Sequence, residues 1–158
     1  MNLDFLIPYG PELRVTHRIF AFLFLAGVTA VISLALYRRV SGKKLAEKGM
    51  ATLAKVSLIL GHTQLLLGLI LYFVLPWFEL LTDPEVEVMA NAAIRFFAVE
   101  HISVNILGIA LLTIGHSKFK KNPDSEGKDK AVLIYYGLGL LLILSRIPWD
   151  RLFSEIAL

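Results

Sequence analysis

The sequence contains no cysteine, which excludes thiolate-held iron–sulfur clusters, covalent c-type haem attachment and disulfides. Any metal centre in this chain must rest on histidine, carboxylate or other non-thiolate groups. Histidine itself is scarce, with four residues in the chain, so each one is weighed singly. Catalytic signatures are missing too: there is no phosphate-cradling glycine-rich loop, no HExxH, no nucleophile elbow, and no pair of carboxylates within an apolar segment set for acid and base roles. Hydrolytic chemistry therefore finds no support. What the chain has in abundance is apolar surface. Hydrophobic residues make up 56% of its 158 residues and the mean hydropathy is +0.68, against roughly 45–50% apolar residues in soluble domains. The net charge of +3 does not point to nucleic acid, because the basic residues fall in two short clusters between apolar segments and form no single stripe.

Four apolar segments, 16–37, 52–78, 92–116 and 131–149, carry Leu, Ile, Ala and Phe around the whole helical circumference. Segments of about 20 such residues suit membrane spans. Backbone amides in hydrocarbon must bond within the segment, and the alternation of a membrane barrel is absent, so the expected fold is all-α. Short connections favour a single-domain, up-down-up-down four-helix bundle over residues 1–158. The first segment reads as a span and not a leader. Met1 to Gly10 has no cationic region, Pro8 and Pro11 precede the apolar run, and Arg38, Arg39, Lys43 and Lys44 come after it as a stop-transfer cluster.

The connections set the orientation. Residues 38–51 and 117–130 hold ten Lys and Arg between them, including Arg38, Arg39, Lys118 and Lys128, whereas the middle connection offers Glu79, Asp83, Glu85 and Glu87 and no basic residue. The positive-inside rule then places the two basic loops in the cytoplasm and both termini outside, as expected for a bacterial inner membrane. Trp77 and Trp149 fall at the outer ends of the second and fourth spans, where amphipathic rings suit a headgroup boundary.

Ionisable groups inside spans are costly and mark candidate sites. They are His17, His62, Arg95, Glu100, His101 and Arg146, with His116 at the cytoplasmic boundary. A neutral imidazole is a common ligand for haem iron and for several transition metals. Two imidazoles sharing one iron need their nitrogens about 4 Å apart. By helical rise, His62 and His101 differ in depth by ~8 Å and His17 and His101 by ~10 Å, so depth does not choose between the pairs. His101, Asn105 and Gly108 recur on one face of the third segment, where Gly108 leaves room for a flat ring. Arg146, on a face of the fourth segment, suits a bidentate contact to a haem propionate. The Ser57, Gly61, Gln64 and Gly68 face of the second segment suits close helix packing.

Thr16-His17, the stretch from Gly61-His62-Thr63-Gln64 to Phe73, Glu100-His101, Gly115 to Lys118, and Leu144-Ser145-Arg146-Ile147-Pro148-Trp149 together resemble a family of small four-helix bacterial membrane proteins. The family is common in the Bacteroidetes group and is loosely labelled cytochrome b. The likeness covers nearly the whole chain, and the Ser-Arg-Ile-Pro-Trp ending is its most specific part. It implies haem b held by histidines among His17, His62 and His101. Three functional readings are open. The first is a bis-His haem protein passing electrons between a membrane quinone or partner protein and an outer acceptor, an electron carrier or oxidoreductase subunit. The second is a cofactor-free membrane subunit or assembly factor with an interhelical polar network. The third is a copper or other metal site of three histidines. Each is compatible with a homo-oligomer in the lipid bilayer.

Overall fold

Uninterrupted apolar runs satisfy their amides internally as helix, and among the described residues the chain is helical with no strand. The computed structural model describes residues 4–43 and 47–154. Lys44 of the stop-transfer cluster and the first three residues lie outside them. A short 3-10 turn, Asp4–Tyr9, leads into α1, Gly10–Ser41, which has a proline in its first turn where no amide partner is needed. Gly42 ends α1 in the left-handed region (φ 66°), its N–H reaching the Arg38 carbonyl at 3.0 Å, a backbone shape that favours glycine.

Helix α2 spans Glu47–Val74 and stops four residues short of the expected boundary, because Pro76 cannot continue it. The chain restarts as α3, Trp77–Thr82. Asn91 caps the next helix by accepting from the Ala93 and Ile94 amides at 3.1 and 3.2 Å. That helix runs as α4, Ala92–Arg95, a π-helical turn, Phe96–Glu100, and α5, His101–Lys121. The final run comprises α6, Ser125–Ala131, a second π-helical turn, Val132–Tyr136, and α7, Gly137–Ser145. Beyond Pro148 lies α8, Trp149–Ser154. Three helical stretches, Phe5–Ser41, Glu47–Val74 and Ala92–Lys121, are long and apolar enough to cross a membrane.

Helix α1 packs chiefly on α2, α2 also on α5, and α5 on α7, while the second π-helical turn returns to α1. In this order α1 and α5 stand diagonally across the assembly. The core, built from Val28, Val31, Met50, Ala54, Leu112 and Tyr136, sits toward the basic-loop end. Three ion pairs fasten that end among the described residues: Arg38–Asp129 at 3.3 Å, Arg39–Glu126 at 3.4 Å and Lys128–Glu47. They tie α6 to α1 and α2. The outward surface is apolar, with Leu23, Ile59, Leu66, Leu107 and Leu141 each more than half exposed.

Small residues set the helix spacing. A methyl on Gly61 would lie 2.8 Å from Phe24 Cε2, and one on Gly27 2.6 Å from Ser57 Oγ. A methyl on Gly108 would lie 2.6 Å from Ile143 Cγ1 and 3.1 Å from the Gly139 carbonyl oxygen. Gly108 is thus a packing residue, its space taken by α7, and not the room for a flat ring expected from its place on the His101 face. Gly108→Val should force α5 and α7 apart and cost about 1–3 kcal/mol by overpacking. This is checked as a lowered thermal midpoint in detergent, and an unchanged midpoint would show the contact to be slack.

Candidate functional site

Toward the end that carries Trp77, the helices surround a cavity of about 360 Å³, within the roughly 300–1,000 Å³ of small-molecule and cofactor pockets. Its walls are mainly apolar, with Phe24, Leu65, Leu69 and Ile109 among them. Trp77 stacks on Phe97 at 4.8 Å and both rings line it. Two of the histidines, His17 from α1 and His101 from α5, line this one cavity from diagonally opposed helices.

Each ring is held from behind. His101 Nδ1 lies 2.6 Å from the Arg146 carbonyl oxygen. Because a carbonyl only accepts, Nδ1 carries the proton and Nε2 keeps the lone pair, the tautomer of a histidine prepared to coordinate through Nε2. Asn105 Nδ2 donates to the His101 carbonyl at 2.6 Å, fixing the backbone at the start of α5. The π-helical turn Phe96–Glu100 immediately precedes His101. Such turns change the rotational phase of the helix C-terminal to them and recur at functional sites.

His17 sits against Gly68, where a methyl would come within 3.2 Å of its Cε1. Its Nε2 is 3.0 Å from the Gln64 side-chain amide, while His17 Nδ1 and Gln64 Oε1 are buried without partners. The pairing has two chemical senses. With the amide nitrogen donating to Nε2, the Nδ1 proton has no acceptor. With the amide oxygen accepting from Nε2–H, the unpartnered donor passes to the Gln64 amide nitrogen, which then takes the buried position of Oε1, and a bare lone pair remains on Nδ1. Each sense leaves a buried donor of the pair without a partner, and the second is the one that leaves His17 a lone pair for an electron-pair acceptor.

His62 is placed elsewhere. It is exposed, with Nδ1 2.9 Å from the Leu58 carbonyl and Nε2 3.5 Å from the Thr113 hydroxyl. Gln64 faces α1, and two residues rotate a helix by about 200°, which turns His62 away. Consistent with that, no group of three or more His, Asp or Glu side chains comes together as a metal site among the described residues, so the three-histidine site is not assembled. Arg146 is also committed elsewhere: Glu100 pairs with it at 3.2 Å and with Arg95 at 2.8 Å, and Arg146 is not among the residues lining the cavity. The arginines that do line it are Arg14, Arg18 and Arg151. His116 lies near the other end, 3.3 Å from the Tyr136 hydroxyl.

Gln64, Trp77 and Phe97 are site residues that sequence reasoning did not single out for that role. For Gln64 a signal existed: a polar amide on the small-residue face of α2, between Gly61 and Gly68. No family model matches the chain, and no match to it was found among curated proteins or solved structures.

Proposed function

We propose that the chain is an integral membrane four-helix bundle of up-down-up-down topology that binds one b-type haem through His17 and His101 and serves in electron transfer. The observation that carries this reading is the pair of imidazoles lining one apolar cavity from diagonally opposed helices, with Nε2 of His101 left as the lone-pair nitrogen by the Nδ1–carbonyl contact and Nδ1 of His17 buried without a hydrogen-bond partner. The orphaned Nδ1 of His17 and the carbonyl-fixed tautomer of His101 fit iron. The resemblance to small bacterial proteins labelled cytochrome b points the same way. A haem held by two histidines supplies one-electron chemistry with no open iron position. The residues of the chain bind and orient it. Gln64 and Gly68 hold the His17 ring, the Arg146 carbonyl and Asn105 hold His101, and the Trp77–Phe97 stack limits access of water.

The apolar outward surface and the basic loops support a lipid setting in a bacterial inner membrane, with the cavity in the outer half and both termini outside. A membrane quinone or a protein partner would then supply or take the electron. Haem added to the protein purified in mild detergent should saturate at one per chain with a low-spin, six-coordinate spectrum. His62→Ala should leave that spectrum unchanged. Absence of saturable uptake would end the haem reading.

The Arg95–Glu100–Arg146 network favours a second reading, a cofactor-free membrane subunit stabilised by polar contacts between helices. On that reading, His101→Gln lowers stability or partner recovery while the protein shows no haem bands before or after the change.

A further inference from the structure

One face of α2 bears on both imidazoles of the cavity. Gln64, Gly68 and Tyr72 follow one another at spacings of four, which places them on one face, and all three line the cavity. The first two seat His17: Gln64 lies 3.0 Å from its Nε2, and Gly68 leaves room for its Cε1, which a methyl there would approach to 3.2 Å. Tyr72 reaches the helix of the other histidine instead, its hydroxyl donating to the Ala98 carbonyl at 2.8 Å. Both residues are buried.

Ala98 is the middle residue of the π-helical turn Phe96–Glu100, and the amide of His101 itself bonds the Phe96 carbonyl across that turn. The backbone of His101 is therefore set by the turn's hydrogen bonding. Isolated π-helical turns are rare, and this one is gripped from the junction of α2 and α3 by two contacts: the Tyr72 hydroxyl on Ala98, and the Trp77 ring on Phe97 at 4.8 Å. Such a turn carries one residue more than α-helical pairing would, so its relaxation to an α-helix would rotate its two flanks relative to one another by about 100°. His101 stands at that junction.

We propose that Tyr72 is a positioning residue whose hydroxyl, bonded to the Ala98 carbonyl, holds the π-helical turn that aims His101 into the cavity. Helix α2 then places both imidazoles from one face, His17 through Gln64 and Gly68 and His101 through Tyr72. That this placement serves iron rests on the haem reading above, whereas the hold of Tyr72 on His101 does not.

The test uses full-length protein ¹⁵N-labelled at histidine, purified in neutral detergent without added haem and held at about pH 8, above the ordinary imidazole value. The His101 ring signals are assigned by their loss in His101→Gln. In the unmodified protein they should show Nδ1 protonated and Nε2 bare. Tyr72→Phe keeps the ring and removes the hydroxyl, and it should turn those signals into a mixture of tautomers. Arg38→Met, which weakens the opposite end of the bundle, should leave them as they are. After haem addition Tyr72→Phe should bind about tenfold more weakly, the size expected for loss of a contact that supports a ligand. An unchanged His101 tautomer in Tyr72→Phe, the same change in Arg38→Met, a His101 not protonated on Nδ1 at the outset, or haem binding unweakened by Tyr72→Phe would overturn the proposal. The haem reading fails separately, by lack of saturable haem uptake in a protein whose His101 signals respond to Tyr72→Phe as stated.

Discussion

On the haem reading, replacing His101 or His17 by Ala should abolish the low-spin spectrum and weaken haem binding by more than about 100-fold. Loss of a supporting partner behind a metal ligand typically costs about 10–100-fold, and loss of the ligand itself should exceed that. The two variants should behave alike, because each leaves the iron with one protein nitrogen. Gln64→Leu should fall within the supporting range, since it removes the group that orients His17 without removing the imidazole. Haem titration monitored by absorbance checks the whole series, and an Ala variant that kept a six-coordinate spectrum would show that a different side chain is the ligand.

The second large effect lies at the opposite end. Arg38 and Asp129 form an ion pair in which both side chains are almost fully buried, at 4% and 6% exposure, and Arg38 also donates to Met50 Sδ at 3.4 Å. Removing one partner of such a pair leaves an uncompensated charge and costs about 3–5 kcal/mol. Arg38→Met should therefore lower stability by that amount, while Arg38→Met with Asp129→Leu should recover most of it. The loss should depend on pH. Burial already pushes the Asp129 carboxyl above its ordinary value of 3.8, and the Arg38 guanidinium pulls it back. Without Arg38 the folded carboxyl holds its proton more strongly than the unfolded one. Stability of the variant should then fall as pH rises from about 3.8 through the raised value, with the deficit smallest in acid. Unfolding curves in mixed micelles at acid and neutral pH check both statements.

Much of the helical layout is legible in the sequence because long apolar runs admit few alternatives. The boundaries move where local chemistry acts: Pro76 ends α2 early, and α1 begins at Gly10 rather than at residue 16. That shift matters for the site. Counted from Gly10, His17 lies about 10 Å along its helix, and His101 about 13 Å from Ala92, so the apparent depth mismatch shrinks to a few Å. The rotation of His62 away from the cavity comes from the Gly61, Gln64 and Gly68 face meeting α1, a face visible in the sequence whose partner helix is not. The two π-helical turns have no residue signature, and they alter the phase of every side chain after them. The place of Arg146 is hidden for a related reason: its helical face is readable, but the competition for it by Glu100 arises only when α5 and α7 are brought together.

The proposed sharing of one iron by His17 and His101 is tested most directly by pulsed EPR on ferric protein grown with ¹⁵N-labelled histidine, which counts imidazole nitrogens bound to the metal. Two nitrogens are expected in the unmodified protein and one in the variant lacking either residue. A haem-loaded protein showing a single imidazole, or one whose second nitrogen survives removal of both His17 and His101, would contradict the assignment.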